Sequence, residues 1–155
     1  MELVPLTANC ATAIGVCVAL MQHLRARKHS VVQFEDSLTR EFRQIIGQLP
    51  VPALLGEELS VELVQEHLRV FYLYFDLTNE QIFLRRRERV SLATWETWQQ
   101  GIRDMMKLPA FERAWREIRD KPLVRFLGLR ELERLNFESD PCTWKLSNTV
   151  RHAQA

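Results

Sequence analysis

The sequence feature that most constrains the fold of this chain is an uncharged run over residues 3–24. None of these residues is Asp, Glu, Lys or Arg, and most are aliphatic or small. A helix rises about 1.5 Å per residue, so a helical run of this length spans roughly 30 Å, the thickness of the hydrocarbon core of a bilayer. The run therefore predicts a transmembrane anchor over residues 1–24.

The charges that flank the run indicate its direction in a membrane. Glu2 precedes it, whereas Arg25, Arg27 and Lys28 follow it. Basic residues stay on the cytoplasmic side, so the N-terminus would lie outside and the rest of the chain inside. A cleaved signal peptide carries its basic residues before the apolar run, which is the opposite order. The sequence thus predicts a single-pass protein of the bacterial inner (plasma) membrane. The alternative is a helix buried in a cytoplasmic bundle, because Thr, Asn and Gln residues dilute the run.

Small residues recur at every fourth position within the run, at Thr7, Ala11, Gly15 and Ala19. On a helix they would form one ridge, and small residues at this spacing let two helices pack closely in a bilayer. The ridge predicts helix–helix association, either in a homo-oligomer or with a membrane-protein partner.

The remainder of the chain predicts an all-α domain. Apolar residues recur every three or four positions in several segments, and no segment alternates apolar and polar residues as a half-buried strand does. Ser60 and Ser91 are suited to cap helices, and Pro122 is suited to begin the last one. We therefore expect a cytoplasmic bundle of about four to five helices over residues 25–137. A polar, flexible tail is expected over residues 138–155.

Charge and composition argue against several kinds of site. The 21 basic and 20 acidic residues give a net charge of +1, so the overall charge makes no strong case for nucleic acid as a partner. The three cysteines suggest no disulfide framework, and the four histidines stand at no zinc-binding spacing. No Glu-x-x-His repeat, Gly-rich phosphate loop or Gly-x-Ser-x-Gly elbow occurs. The sequence therefore predicts no metal, no cofactor and no catalytic residue.

The acidic pair Asp76 and Glu80 is the strongest candidate for a buried polar site. The two residues stand one helical turn apart, and Glu80 shares a helical row with Leu77 and Leu84. A buried carboxylate needs a partner or a proton, and Arg87 is a candidate partner. We interpret the pair as a buried ion pair that fixes helix register. The alternative is a general acid/base pair or half of a metal site.

A basic run at residues 85–89 is a second candidate site. Arg85, Arg86 and Arg89 could contact the phosphate groups of a nucleic acid, a nucleotide or a lipid, since aromatic residues stand nearby. The favoured interpretation is a solvated helix end, because cations stabilise the C-terminal end of a helix.

Two stretches, FYLYFDLTNEQIFLRRRERVSLATWETWQQGI and PAFERAWREI, carry a resemblance to a known group of proteins. Together with the apolar N-terminal run, they resemble small bacterial membrane-anchored all-helical proteins of unknown function. The likeness covers residues 3–120. Its most recognisable positions are Asn79, Glu80, Ser91, Trp95, Trp98, Phe111 and Trp115. The resemblance implies an anchored helical architecture and transfers no catalytic residue.

Taken together, these patterns favour a membrane-anchored, oligomeric protein that acts through protein–protein contacts as an adaptor, regulator or accessory subunit. Its expected partners are the lipid bilayer and other proteins, and it is not expected to be an enzyme. One alternative is a membrane effector of bacterial antiviral defence, which would cluster its anchors and disturb the membrane. Another is a soluble helical enzyme that uses Asp76 and Glu80.

Overall fold

Helices make up all the regular secondary structure in residues 33–144, the part of the chain that the structure, a computed structural model, describes. Helix α1 is described from residue 33 and ends at residue 46. The following helices are α2 (Val51–Leu54), α3 (Val61–Glu66), α4 (Leu68–Arg86), α5 (Leu92–Met106), α6 (Pro109–Arg119) and α7 (Leu127–Arg134). A short 3-10 helix, Pro141–Thr143, comes last. The all-α prediction is confirmed for these residues.

The membrane part of the predicted fold class is wrong. No helix within residues 33–144 is long and apolar enough to cross a membrane. The longest helix of this part, α4, carries acidic and basic residues at intervals along its length, which the core of a bilayer disfavours. The predicted anchor over residues 1–24, with its ridge of small residues, lies outside the described residues. The fold class that the structure supports for residues 33–144 is all-α.

The chain divides into two compact units, Met1–Ser37 and Leu38–Ala155. Residues 33–37 are the described part of the first unit, and they are helical. All the features described below lie in the second unit.

Helix α4 lies at the centre of the second unit, in contact with α3, α5, α6, α7 and the 3-10 helix. The sequence predicts this central position, because apolar residues occupy two rows of the helix. Phe71, Phe75 and Ile82 of one row are fully buried, and so is Thr78, whose hydroxyl donates to the Tyr74 carbonyl at 2.8 Å.

An aromatic cluster joins α4 to α6 and forms the middle of the core. The ring of Phe111 meets those of Phe71 and Tyr74 edge to face, with centroids 5.1 and 5.0 Å apart. The ring of Trp115 lies 5.0 Å from that of Phe75. Edge-to-face pairs at such distances are favourable beyond the area that they bury. These contacts fix α6 against α4.

The helical segment that follows Ser60 is divided into two helices at His67. Helix α3 ends at Glu66 and α4 begins at Leu68, and His67 between them has φ −99° and ψ 8°. Its ring nitrogen Nδ1 lies 3.0 Å from the carbonyl oxygen of Leu63. The predicted cap is confirmed, since the Ser60 hydroxyl accepts the backbone N–H of Leu63 at 3.2 Å.

The last helix begins at Leu127 and not at Pro122, which is a second correction. The cause is a contact distant in sequence: the side-chain oxygen of Asn79, on α4, accepts the backbone N–H groups of Gly128 and Leu129 at 3.0 and 3.2 Å. These donors belong to the first turn of α7, where a helix leaves its own N–H groups without partners. Asn79 therefore sets the start of α7.

Candidate functional site

The acidic pair predicted to be buried lies on the outer face of α4. Asp76 and Glu80 are both exposed, and neither forms an ion pair with Arg87 in the described part of the chain. The Arg87 guanidinium instead lies over the Phe83 ring, 5.4 Å from its centroid. The prediction of a buried pair is wrong, because Glu80 stands at the solvent edge of its helical row, whereas Leu77 faces the core.

Arg85, one of the candidates for a phosphate contact, forms an ion pair with Asp140. Its Nε and Nη2 atoms donate to the two carboxylate oxygens of Asp140 at 2.9 and 2.6 Å, and Nη1 donates to the Val90 carbonyl at 2.8 Å. The two side chains are only 12% and 24% exposed. The hydrogen bond from Arg85 holds the pKa of the Asp140 carboxyl below its usual range, although burial opposes this.

Arg86 and Arg89, the other two candidates for a phosphate contact, lie outside this ion pair. Arg86 is half-buried and Arg89 is exposed. The pKa of Glu131 is lowered chiefly by its hydrogen bond from Arg134, and the charge of Arg86 adds to this effect. Arg85 is therefore held by Asp140, and the phosphate contact, the alternative to a solvated helix end, stays a prediction.

Residues 138–144 are attached to the bundle, although the sequence assigns them to a flexible tail. The Asp140 carboxylate also accepts the backbone N–H of Cys142 at 3.0 Å, and the Cys142 thiol donates to the Arg85 carbonyl at 2.9 Å. The Gln99 amide donates to the Ser139 carbonyl at 3.0 Å. These bonds hold the segment against α4 and α5. The rest of the predicted tail, residues 145–155, lies outside the described residues.

A shallow groove of about 260 Å³ lies where α4 and α6 meet the turn that follows α6; we name it the α4–α6 groove. Its walls are Leu68, Arg69, Tyr72, Ile118, Lys121 and Val124. The surface that they offer is mainly apolar, and the two charged residues among them are both cations. Leu123, on the same turn, is 95% exposed. Exposed apolar area that is bordered by charge is typical of binding surfaces.

A larger cavity of about 340 Å³ lies between α1, α4 and α5; we name it the α1–α4–α5 cavity. Phe42 and Arg43 line it from α1, Tyr74 and Gln81 from α4, and Trp98 and Ile102 from α5. Its walls are therefore largely aromatic and aliphatic, and all three helices also contribute polar residues. The sequence gives no signal for this cavity, because its residues are far apart in the chain.

The hydroxyl of Tyr74, at this cavity, is buried without a hydrogen-bond partner in the described part of the chain. Tyr74 is 1% exposed. Burial raises the pKa of its phenol, and the Thr78 side chain opposes this to a lesser extent. Buried polar groups are nearly always hydrogen-bonded in native proteins, so this hydroxyl stands out. Gln81, which is 5% exposed, is a second polar residue in the lining of the cavity.

Metal ligands are not grouped in the described part of the chain, where no set of three His, Cys, Asp or Glu residues could hold an ion. Comparison with protein-family models, with curated proteins and with solved structures gives no match.

Proposed function

We propose that this protein acts by binding another protein in the α4–α6 groove, as an adaptor or regulator. The observation that carries the proposal is the composition of that groove, an apolar surface flanked by Arg69 and Lys121. Interaction surfaces of this kind receive large apolar side chains, and their charged borders select the partner.

The partner that fits is a segment with one or two large apolar residues next to Asp or Glu. The two cations that line the groove favour acidic neighbours, and the volume of about 260 Å³ suits side chains better than a whole helix. Leu123, almost fully exposed beside the groove, would add apolar contact at its edge. Tyr72 is held in place by its ring contact with Phe126, at 5.3 Å between centroids, so this wall is already ordered before binding.

The other functions are less well supported. An enzyme that uses Asp76 and Glu80 would need a recess around them, and neither residue lines the groove or the cavity described above. A membrane effector would act through a spanning helix, and the features described above, all within residues 33–144, offer no observation that favours it. Protein binding is therefore the function that we retain.

Selection of peptides from a random displayed library against the whole protein tests this proposal. We expect the enriched peptides to pair a large apolar residue with Asp or Glu. The Lys121→Glu variant should bind them at least about tenfold more weakly, which corresponds to roughly 1.4 kcal/mol. Fluorescence polarisation of a labelled peptide measures this difference.

The matched control is Lys107→Glu, which reverses an exposed lysine outside the groove and should leave peptide affinity unchanged. Equal weakening by both variants would mean that peptides respond only to net charge, and the groove would not be the site. Selection of no common sequence type would also overturn the proposal.

A further inference from the structure

We infer that the α1–α4–α5 cavity is a binding site for a small amphiphilic carboxylate, a molecule with an apolar body and one anionic end. This site is separate from the α4–α6 groove, and the inference does not depend on the proposed protein partner. Four features of the cavity carry it: its walls, its two polar residues Tyr74 and Gln81, the one charged residue in its described lining, and its glycine.

The walls of the cavity suit an apolar body. Phe42, Trp98 and Ile102 line it together with Tyr74, whose ring lies 6.3 Å from that of Phe42. Ligand pockets are typically lined by aromatic and aliphatic side chains and have volumes from roughly 300 to 1,000 Å³. At about 340 Å³ this cavity is near the lower limit, so its ligand is small.

The buried hydroxyl of Tyr74 indicates that something other than protein completes the site, because it has no hydrogen-bond partner within residues 33–144. Gln81 lines the same cavity, and its amide can both donate and accept hydrogen bonds. In an apolar pocket, a small number of polar groups fixes the orientation of the ligand.

The charge of the cavity determines the sign of the ligand. Arg43 is the only charged residue among the described ones that line it, and it is exposed. It forms no ion pair with an acidic residue in residues 33–144. A guanidinium group matches a carboxylate in geometry as well as in charge. The ligand is therefore anionic at one end.

Gly101 keeps the cavity open on the side of α5. It lies inside that helix, where glycine is less favourable than alanine. A Cβ atom added at this position would meet no atom within 4 Å, so close packing does not require a glycine here. Because Gly101 lines the cavity and the space around an added Cβ is open, a larger side chain at this position has room to reach the cavity.

Calorimetric titration of the whole protein with decanoate, decan-1-ol and decylamine tests the inference. The three probes share one apolar chain and differ only in the charge of the head group. We expect saturable binding of decanoate, at least about tenfold weaker binding of the alcohol, and weaker binding still of the amine. Equal affinity for acid and alcohol, or no saturable binding of decanoate, would overturn the inference.

Substitutions in the cavity and in the α4–α6 groove then show which of the two sites binds decanoate. Arg43→Gln should remove the preference for decanoate over the alcohol, whereas Arg40→Gln, one turn earlier on α1 and outside the cavity lining, should keep it. Lys121→Glu in the α4–α6 groove should leave decanoate binding unchanged. Loss of binding in Lys121→Glu but not in Arg43→Gln would place the probe in the groove and overturn the inference.

A pair of substitutions at Gly101 tests the cavity without removing any polar group. Gly101→Leu should abolish decanoate binding while the thermal melting temperature stays at or above that of the parent, because leucine favours a helix more than glycine does. Gly101→Ala should retain binding. Decanoate affinity that survives in Gly101→Leu would show that the cavity is not the site.

Discussion

Asn79 should control the stability of helix α7, although it belongs to α4. Its side-chain oxygen accepts two backbone N–H groups in the first turn of α7, those of Gly128 and Leu129. Phe126, which precedes α7, provides no side-chain cap. Asn79 thus accepts the free N–H groups at the start of α7, a role that the residue just before a helix usually has.

The size of the effect follows from these two bonds. Replacing a capping residue by alanine costs about 0.5–2 kcal/mol, and a buried donor left without a partner costs about 1–3 kcal/mol. Gly128 is half-buried and Leu129 is fully buried, so water can replace the lost acceptor only in part. We therefore expect Asn79→Ala to lower the free energy of unfolding by about 2 kcal/mol. Asn79→Asp keeps the acceptor and places a negative charge near a helix N-terminus, so it should stay within about 0.5 kcal/mol of the parent.

Urea unfolding followed by far-UV circular dichroism measures these differences, and amide hydrogen exchange locates them. Protection should fall in α7 first when Asn79 is replaced by alanine. Glu80→Gln, at the next position, is the control, because an exposed residue outside any such contact changes stability by less than about 0.5 kcal/mol. An unfolding midpoint of Asn79→Ala equal to that of the parent would refute the capping argument. Equal loss in the alanine and aspartate variants would refute it as well.

Three further predictions concern other positions. Gly128→Ala should lower the free energy of unfolding by about 1–3 kcal/mol, because its Cβ would lie 2.9 Å from Cγ2 of Ile82; urea unfolding measures this. Gly101→Ala should raise the free energy of unfolding by about 0.5–1 kcal/mol, since its Cβ meets nothing and alanine favours a helix; the melting temperature should rise accordingly. Asp140→Asn should cost about 1–3 kcal/mol at neutral pH through the loss of the ion pair with Arg85. The lowered pKa of Asp140 means that this stabilisation is present above the unfolded carboxyl pKa of about 3.9 and is lost below it, so the two proteins should converge in acid.

Local signals in the sequence predicted the helices well. Ser60 and Ser91 cap helices as expected, the latter by accepting the Thr94 backbone N–H at 3.2 Å. Such caps involve residues three positions apart, so the sequence contains the whole interaction. The spacing of apolar residues after Ser60 also indicates that Phe71 and Phe75 lie in the core, as they do. Val61 has the same spacing but is 57% exposed, because it lies at the very start of α3.

Features that depend on distant partners could not be predicted from local pattern. The start of α7 depends on Asn79, and the attachment of Asp140 depends on Arg85. Neither pair is close in sequence. The prediction that Glu80 is buried fails for a related reason. Apolar spacing locates the buried side of a helix only to within about one residue, which is roughly 100° of rotation around the helix axis. For the same reason the sequence does not reveal that Gln81, on the same helix, is buried and lines the cavity.

The ion pair between Arg85 and Asp140 also affects how long the native state lasts. It joins positions 55 residues apart. Contacts across so long a loop are expected to form late in folding, because closing the loop loses chain entropy before the contact contributes any favourable free energy. An interaction that is absent from the transition state leaves the folding rate almost unchanged and slows unfolding instead. The segment that follows α7 would thus lower the unfolding rate of the bundle and lengthen its folded lifetime, without raising its folding rate.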